Sequence, residues 1–157
     1  MHIRHADIAV NEWESPKGDF GNAGREHKPP EGSQCPFELE HYILRPGKKS
    51  FPFHAHGSMW ELYYVLSGTA QMRTDEECVE LQPGDSYLCR PGLVHQIINN
   101  SSEDFVYLVI ANNPTFDACY FPDSGKLGAW ETVWGSLPER RFWRIEGEEV
   151  EYFTGEE

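Results

Sequence analysis

Turn-forming residues interrupt this sequence every eight to twelve residues or so from Phe37 onward, and no segment has the spacing of an amphipathic helix. The runs between the turns are short, and they are either apolar throughout or alternate between apolar and polar residues, as β-strands do. We predict strands at Phe37–Leu44, Trp60–Leu66, Thr69–Thr74, Cys78–Leu81, Ser86–Cys89, Val94–Ile98 and Phe105–Ala111. This pattern is typical of an all-β sandwich or barrel.

The run Phe105–Ile110 is apolar at every position, which predicts a central strand covered on both faces. Before it, residues 1–36 are rich in glycine and proline, and we interpret them as an irregular N-terminal arm of the same domain, with one short strand around Ile3–Val10. We assign 37–122 to the barrel core and 123–157 to a C-terminal extension with an acidic tail.

Within that extension, Arg141–Ile145 and Val150–Phe153 could pair as a closing hairpin. The turn from Phe121 to Lys126 is polar, which favours a surface loop over a lid that carries Lys126.

The charge of the chain restricts its partners. The 157 residues carry a formal net charge of −13, which disfavours binding to nucleic acid or to an anionic membrane surface. Part of this charge lies in a tail that we expect to be solvated, whose acidic residues are Glu146, Glu148, Glu149, Glu151, Glu156 and Glu157. The absence of a membrane-spanning run and of a signal-like N-terminus favours the cytoplasm.

The four cysteines form no C-x-x-C pair, so we predict free and mostly buried thiols. Their spacing also gives no indication of a thiolate-dominated metal site.

Three histidines and one glutamate form the pattern with the most chemical content. His54 and His56 are two residues apart, so on a strand they share a face. Glu61 follows a possible turn at Gly57, and His95 lies on a later strand. If they converge, three imidazoles and one carboxylate suit a divalent transition metal and leave two octahedral positions open.

The ordered residues resemble the two motifs of the cupin superfamily. The first motif corresponds to Gly47-x6-His54-x-His56-x4-Glu61-x6-Gly68. The second corresponds to Gly84-Asp85-x6-Gly92-x2-His95-x3-Asn99. The resemblance covers about 37–111, and it implies a single cupin barrel, also called a jelly roll or double-stranded β-helix.

By this resemblance, the metal ligands are His54, His56, Glu61 and His95. The implied cofactor is one divalent transition metal per chain: manganese, iron, nickel, zinc, cobalt or copper. The alternative is that the four residues are polar side chains lining the barrel, as in cupins that have lost the site. We expect Asn99 to support the turn that follows it.

Other residues are candidates for catalysis or substrate binding. Glu61 could carry a proton, and Tyr63 shares its strand face, so Tyr63 either contacts the site or packs in the barrel. For substrate binding we name Arg90, Lys48 and His41.

We consider three functions. The first is an enzyme, such as a dioxygenase, that acts on a small oxygenated metabolite. The second is a sugar-phosphate aldose–ketose isomerase. One branch of the cupins carries a similar sequence motif, and Glu61-Leu62-Tyr63 fits it. The third is a binding protein or sensor without catalysis. The expected partners are a small-molecule ligand and a second copy of the chain, because pairing benefits exposed sheet edges.

Overall fold

The computed structural model describes residues 1–28, 35–131, 141–144 and 149–156. These residues form thirteen β-strands and one short 3-10 helix at His5–Asp7. The strands are β1 (Asn11–Glu14), β2 (Gly21–Glu26), β3 (Phe37–Leu44), β4 (Ala55–His56), β5 (Glu61–Ser67), β6 (Ala70–Thr74), β7 (Cys78–Leu81), β8 (Ser86–Cys89), β9 (His95–Ile98), β10 (Phe105–Asn112), β11 (Phe116–Phe121), β12 (Lys126–Glu131) and β13 (Arg141–Arg144). The prediction of an all-β chain is confirmed.

The strands form three sheets, in which neighbouring strands are antiparallel. The largest has six strands in the order β1-β2-β3-β10-β5-β8, and the others have the orders β13-β12-β11-β4 and β7-β6-β9. Alternate residues on the six-stranded and three-stranded sheets point into a shared core. On β10 the buried residues are Phe105, Tyr107, Val109 and Ala111, and on β6 they include Met72.

The predicted strands of the barrel agree with the observed ones to within about one residue at each end. One feature of β10 was predicted wrongly. The strand is central, between β3 and β5, but Ile110 is 39% exposed. The alternate face of β10 is therefore apolar without being fully buried.

The N-terminal residues are more regular than their composition indicates. The strand predicted at Ile3–Val10 is wrong, because this segment contains the 3-10 helix and the first strand begins at Asn11. Strand β2 extends the barrel sheet, and Gly24 faces the ring of Tyr42. A Cβ atom at Gly24 would lie 2.4 Å from a carbon of that ring, so this glycine permits close strand packing rather than marking a turn.

The C-terminal hairpin was also predicted wrongly. Strand β13 pairs with β12, and the residues from 150 to 153 are not a strand. Residue 145 lies outside the described residues. The surface loop predicted between Phe121 and Lys126 is a turn at residues 122–125, in which Asp123 is exposed. Lys126 lies just beyond this turn, at the start of β12, and is fully buried.

None of the four cysteines forms a disulfide, as predicted, but only Cys89 and Cys119 are buried. Among the described residues, no helix is long and apolar enough to cross a membrane.

Candidate metal centre

Backbone pairing brings His54 and His95 face to face. The two residues form an isolated antiparallel bridge, in which the His95 amide donates to the His54 carbonyl at 2.8 Å and the His54 amide donates to the His95 carbonyl at 3.2 Å. Their ring centroids are 4.6 Å apart. The turn before His95 is tied to the same region, because the Gly92 amide donates to the His56 carbonyl at 2.8 Å.

His56 and Glu61 complete the cluster. His54 Nε2 and His56 Nε2 lie 3.2 Å apart, as the shared face of i and i+2 residues predicts. Glu61 begins β5, and its Oε2 lies 2.9 Å from His95 Nε2 and 3.5 Å from His56 Nε2. His54, Glu61 and His95 thus lie close enough together to hold a metal ion, and the fourth predicted ligand, His56, lies beside His54 and Glu61.

The outer nitrogens of the rings are engaged away from the cluster. His54 Nδ1 lies 2.7 Å from the Pro52 carbonyl, and His95 Nδ1 lies 3.1 Å from the Leu93 carbonyl. Since a carbonyl only accepts hydrogen bonds, each Nδ1 must carry its proton. The Nε2 atoms therefore face one another. In a neutral ring whose proton is on Nδ1, Nε2 carries the lone pair that a metal requires.

The charges in the cluster are strongly coupled. Burial, with His95 and His56 nearby, lowers the pKa of His54 to about 3, so this ring is neutral. Burial alone would raise the pKa of Glu61, but the contact with His95 and the nearby histidines hold it below its usual range. Burial would lower the pKa of His95, but contacts with Cys89 and Glu61 raise it to about 10. In the metal-free protein, the Glu61 carboxylate is thus balanced by a proton on His95.

The buried Glu61 Oε2 accepts no well-directed hydrogen bond, although it lies close to two ring nitrogens. In the metal-free protein the protonated His95 ring offsets the cost of burying this oxygen, and a bound metal cation would offset the cost in its place. Three imidazole nitrogens and this oxygen fit a divalent transition metal, which would displace the proton of His95.

The sequence did not identify two neighbours of His56 on β11. Asp117 Oδ2 lies 2.5 Å from His56 Nδ1, and Cys119 Sγ lies 3.2 Å from the same nitrogen and 3.8 Å from Nε2. Atoms of His54, His56 and Cys119 also lie close enough together to hold a metal ion. Sequence spacing gave no reason to place a thiol here, because Cys119 comes near only through the pairing of β11 with β4.

Tyr63 both packs in the core and contacts the cluster. Its side chain is buried, and its hydroxyl lies 3.2 Å from His95 Nε2. Burial, together with the Glu61 charge, raises the pKa of Tyr63 well above its usual value, so the hydroxyl stays protonated. Asn99 has the predicted structural role, since its amide donates to the Leu44 and Glu103 carbonyls, and its Oδ1 accepts from the Ser101 amide.

The predicted substrate-binding residues have other contacts. The ring of His41 packs edge-on against His5, with the centroids 4.8 Å apart. Lys48 donates to the Gly18 carbonyl and lies 3.3 Å from Glu14 Oε2. Arg90 is exposed and lies 3.4 Å from Glu76 Oε1. Substrate binding by these three residues stays a prediction.

Glu40 is a partly buried titratable residue of β3 that we did not predict. It has the same strand parity as buried Tyr42, and it pairs with Val109, which on its other side pairs with Tyr63. Burial and the Glu38 charge raise the pKa of Glu40 to about 8, although a hydrogen bond with Tyr42 opposes the shift. Nothing in the sequence distinguishes Glu40 from a solvated strand carboxylate.

The described architecture is that of a cupin barrel. Residues 40–111 match the family model described as Cupin domain. The chain therefore has a cupin fold, and its residues 40–111 match a cupin domain, as the sequence motifs predicted. No curated protein sequence matches the chain at a significant level.

Solved structures with this fold include proteins of several described activities. A Silicibacter pomeroyi protein described as a sugar phosphate isomerase of the cupin superfamily is 18% identical, with a TM-score of 0.79 and 99% of each chain covered. An Acidithiobacillus ferrooxidans protein, described as a candidate sugar phosphate isomerase, is 19% identical, with a TM-score of 0.70 over 86% of this chain and 85% of that one. A Thermotoga maritima protein described as a predicted oxalate decarboxylase is 21% identical, with a TM-score of 0.64 over 73% of this chain and all of that one.

Proposed function

We propose that this protein is a metal-dependent enzyme that acts on a small oxygenated metabolite. The ligands of its divalent metal would be His54, His56, Glu61 and His95. The observation that carries the proposal is the clustering of the three histidine Nε2 atoms around the buried Glu61 carboxylate, in which His54, Glu61 and His95 lie close enough together to hold a metal ion and His56 Nε2 lies 3.2 Å from His54 Nε2 and 3.5 Å from Glu61 Oε2. A barrel that binds the ion without transforming any ligand is the alternative, and the assays below distinguish the two.

We propose aldose–ketose isomerisation of a sugar phosphate as the reaction. The likeness to the Silicibacter pomeroyi protein supports this choice, because it extends over 99% of both chains and so includes the N-terminal strands as well as the barrel. The Glu61-Leu62-Tyr63 sequence, by which we first considered this reaction, agrees with it.

A divalent ion in this site would polarise the carbonyl and hydroxyl oxygens of a bound sugar. Glu61 is suited to hold the ion rather than to carry a proton, because its pKa is lowered. Tyr63 stays protonated and can donate a hydrogen bond to a substrate oxygen.

Isomerisation also needs a group that takes a proton from the carbon beside the carbonyl and returns it to the neighbouring carbon. Glu40 is our candidate, since a carboxyl with a pKa of about 8 exchanges protons readily near neutral pH. It lies two strands from Tyr63 in the same row, so that about 10 Å separates the two backbones.

The reaction is tested by NMR in deuterated buffer, with glucose 6-phosphate or mannose 6-phosphate and protein loaded with each divalent metal in turn. We expect interconversion of aldose and ketose with deuterium at the exchanging carbon, and loss of both after chelation. The matched variants are Glu61→Gln, which should be inactive, and Glu80→Gln on the exposed side of β7, which should be active.

Background rates with every metal would reject the isomerase. Turnover of another metabolite that requires iron and oxygen would support a dioxygenase instead. Binding of metabolites without any transformation would support the binding-protein alternative, and would contradict the proposal of an enzyme.

A further inference from the structure

Asp117 has contacts that connect two separate parts of the candidate metal centre. Its side chain is fully buried, and its Oδ2 lies 2.5 Å from His56 Nδ1. Its Oδ1 accepts hydrogen bonds from the Ser58 amide at 2.8 Å and from the Ser58 hydroxyl at 2.9 Å. Each oxygen of this carboxylate thus has a specific partner.

The contact with His56 fixes the tautomer of that ring. An ionised carboxylate only accepts hydrogen bonds, so His56 Nδ1 must donate its proton to Asp117. The lone pair of a neutral ring then lies on Nε2, the nitrogen near His54 Nε2 and Glu61 Oε2. Cys119 Sγ is closer to Nδ1 than to Nε2, so it lies towards the Asp117 side of the ring.

The contact with Ser58 fixes the segment between two predicted ligands. Ser58 lies two residues after His56 and three before Glu61. The neighbouring Gly57 amide donates to the Ala118 carbonyl at 2.7 Å, and the Ser58 hydroxyl oxygen also lies 2.7 Å from the Phe116 carbonyl oxygen. This segment is therefore held by β11, with Asp117 at the centre of the contacts.

We propose that Asp117 is a positioning residue for the metal centre, which selects the Nε2 donor form of His56 and sets the spacing between His56 and Glu61. This inference rests on the proposed metal site, although the effect on the tautomer does not require a metal. Outer partners of this kind change metal affinity by about 10–100-fold when they are removed from other proteins.

The test is Asp117→Asn, compared with Asp104→Asn as the matched control. Asp104 makes an exposed ion pair with Arg45 at 2.7 Å and has no contact with the cluster in the described structure. In metal-free protein, nitrogen-15 NMR of the His56 ring should show the Nδ1–H form in the wild type and in Asp104→Asn. In Asp117→Asn the Nε2–H form should appear, because an amide group can donate to Nδ1.

Calorimetric titration with manganese(II) gives the second readout. We expect about a 10–100-fold weaker affinity in Asp117→Asn and a change of less than about twofold in Asp104→Asn. If Asp117→Asn does not fold, Ser58→Ala keeps the carboxylate and should give a smaller loss of affinity with the tautomer unchanged. An unchanged affinity in Ser58→Ala would then contradict the role of Asp117 in spacing.

The outcomes separate the two proposals. If wild-type protein binds manganese but Asp117→Asn keeps the same tautomer and affinity, Asp117 has no positioning role and the metal site stands. If the wild type binds no divalent metal, the proposed function fails, and the NMR comparison alone decides whether Asp117 controls His56.

Discussion

At the scale of single residues, the variant Tyr63→Phe tests whether the Tyr63 hydroxyl contributes to catalysis or to metal binding. Removing its hydroxyl in Tyr63→Phe leaves the ring packed in the core and deletes the contact with His95 at 3.2 Å. We expect the free energy of unfolding to fall by only about 1 kcal/mol.

Metal affinity of Tyr63→Phe should stay within about threefold, whereas turnover should fall by about tenfold or more, the effect of a lost hydrogen bond to substrate. Tyr87→Phe is the control, because its hydroxyl donates to Glu77 at the surface. Equal turnover in the two variants would mean that Tyr63 only packs.

Glu40 gives a prediction about pH. Its folded-state pKa of about 8 exceeds the ordinary value of 4.5, so the folded protein keeps this proton where the unfolded chain loses it. Stability due to this group is fully present below about pH 4.5 and is lost as pH rises to about 8. Glu40→Gln should remove this slope and raise stability at pH 8 by roughly 2–4 kcal/mol.

Urea unfolding from pH 4.5 to 8.5 measures this effect, with Glu80→Gln as the exposed control. Parallel pH profiles for wild type and Glu40→Gln would show that Glu40 is solvated and unsuited to carry the proton in the proposed reaction.

The clustering of His54, His56, Glu61 and His95 could be predicted from sequence because residue types, spacing and glycine positions resemble the cupin motifs, and their role as metal ligands stays a prediction. Asp117 could not be found in the same way. It meets His56 only because β11 pairs with β4, and β4 has two residues, too few to show any alternation. Glu40 was missed for a different reason, since its burial depends on the closed barrel.

At the scale of elements, barrel strands such as β3 and β6 were predictable because each has a buried and a more exposed face. The N-terminal strands were missed, because glycines such as Gly24 that allow close packing resemble turn glycines in sequence. Strand order was not predictable either, since β10 lies between β3 and β5 through distant pairing.

Two glycines of the first motif give a matched test of backbone geometry. Gly47 and Gly68 both have positive φ, at 76° and 74°. A Cβ atom at Gly68 would lie 2.3 Å from the Asp104 carbonyl oxygen. A Cβ atom at Gly47 would have no heavy atom within 4 Å apart from those of its own residue and its two chain neighbours. Gly47→Ala should therefore cost about 1–2 kcal/mol from the conformation alone.

Gly68→Ala should cost at least about 3 kcal/mol, because the backbone must also move. Chemical unfolding in the presence of a chelator measures both variants without a contribution from metal. Equal losses would contradict the close approach of Gly68 to Asp104.

At the scale of the whole molecule, the charge is less concentrated in a solvated tail than we expected. Glu149 and Glu151 are exposed, but the Glu156 side chain is almost fully buried and lies 3.0 Å from Lys126 Nζ. The end of the described chain is thus anchored on β12 by an ion pair rather than extended into solvent.

The outer face of the six-stranded sheet supports the prediction of a homodimer. One row across β3, β10, β5 and β8 contains Leu39, Ile110, Leu62 and Leu88. Leu88 is 54% exposed and Ile110 is 39% exposed. This row has no charged residue in a chain of net charge −13, so two copies could pack here without like charges meeting.

We predict that the wild type sediments as a dimer at micromolar concentration and that Leu88→Glu sediments as a monomer with the barrel intact. Leu127→Glu, at an exposed leucine of another sheet, should remain dimeric. A wild type that is monomeric at every concentration would contradict the prediction.

The central claim is that four side chains of the barrel bind one divalent metal. The most direct measurement is elemental analysis, with calorimetric titration, of protein purified without a nickel column. We predict one metal ion per chain in the wild type and in Asp104→Asn, and at least about 100-fold weaker binding in Glu61→Gln, a larger loss than removing an outer partner. No stoichiometric metal in any wild-type preparation, or equal binding by Glu61→Gln, would contradict the claim.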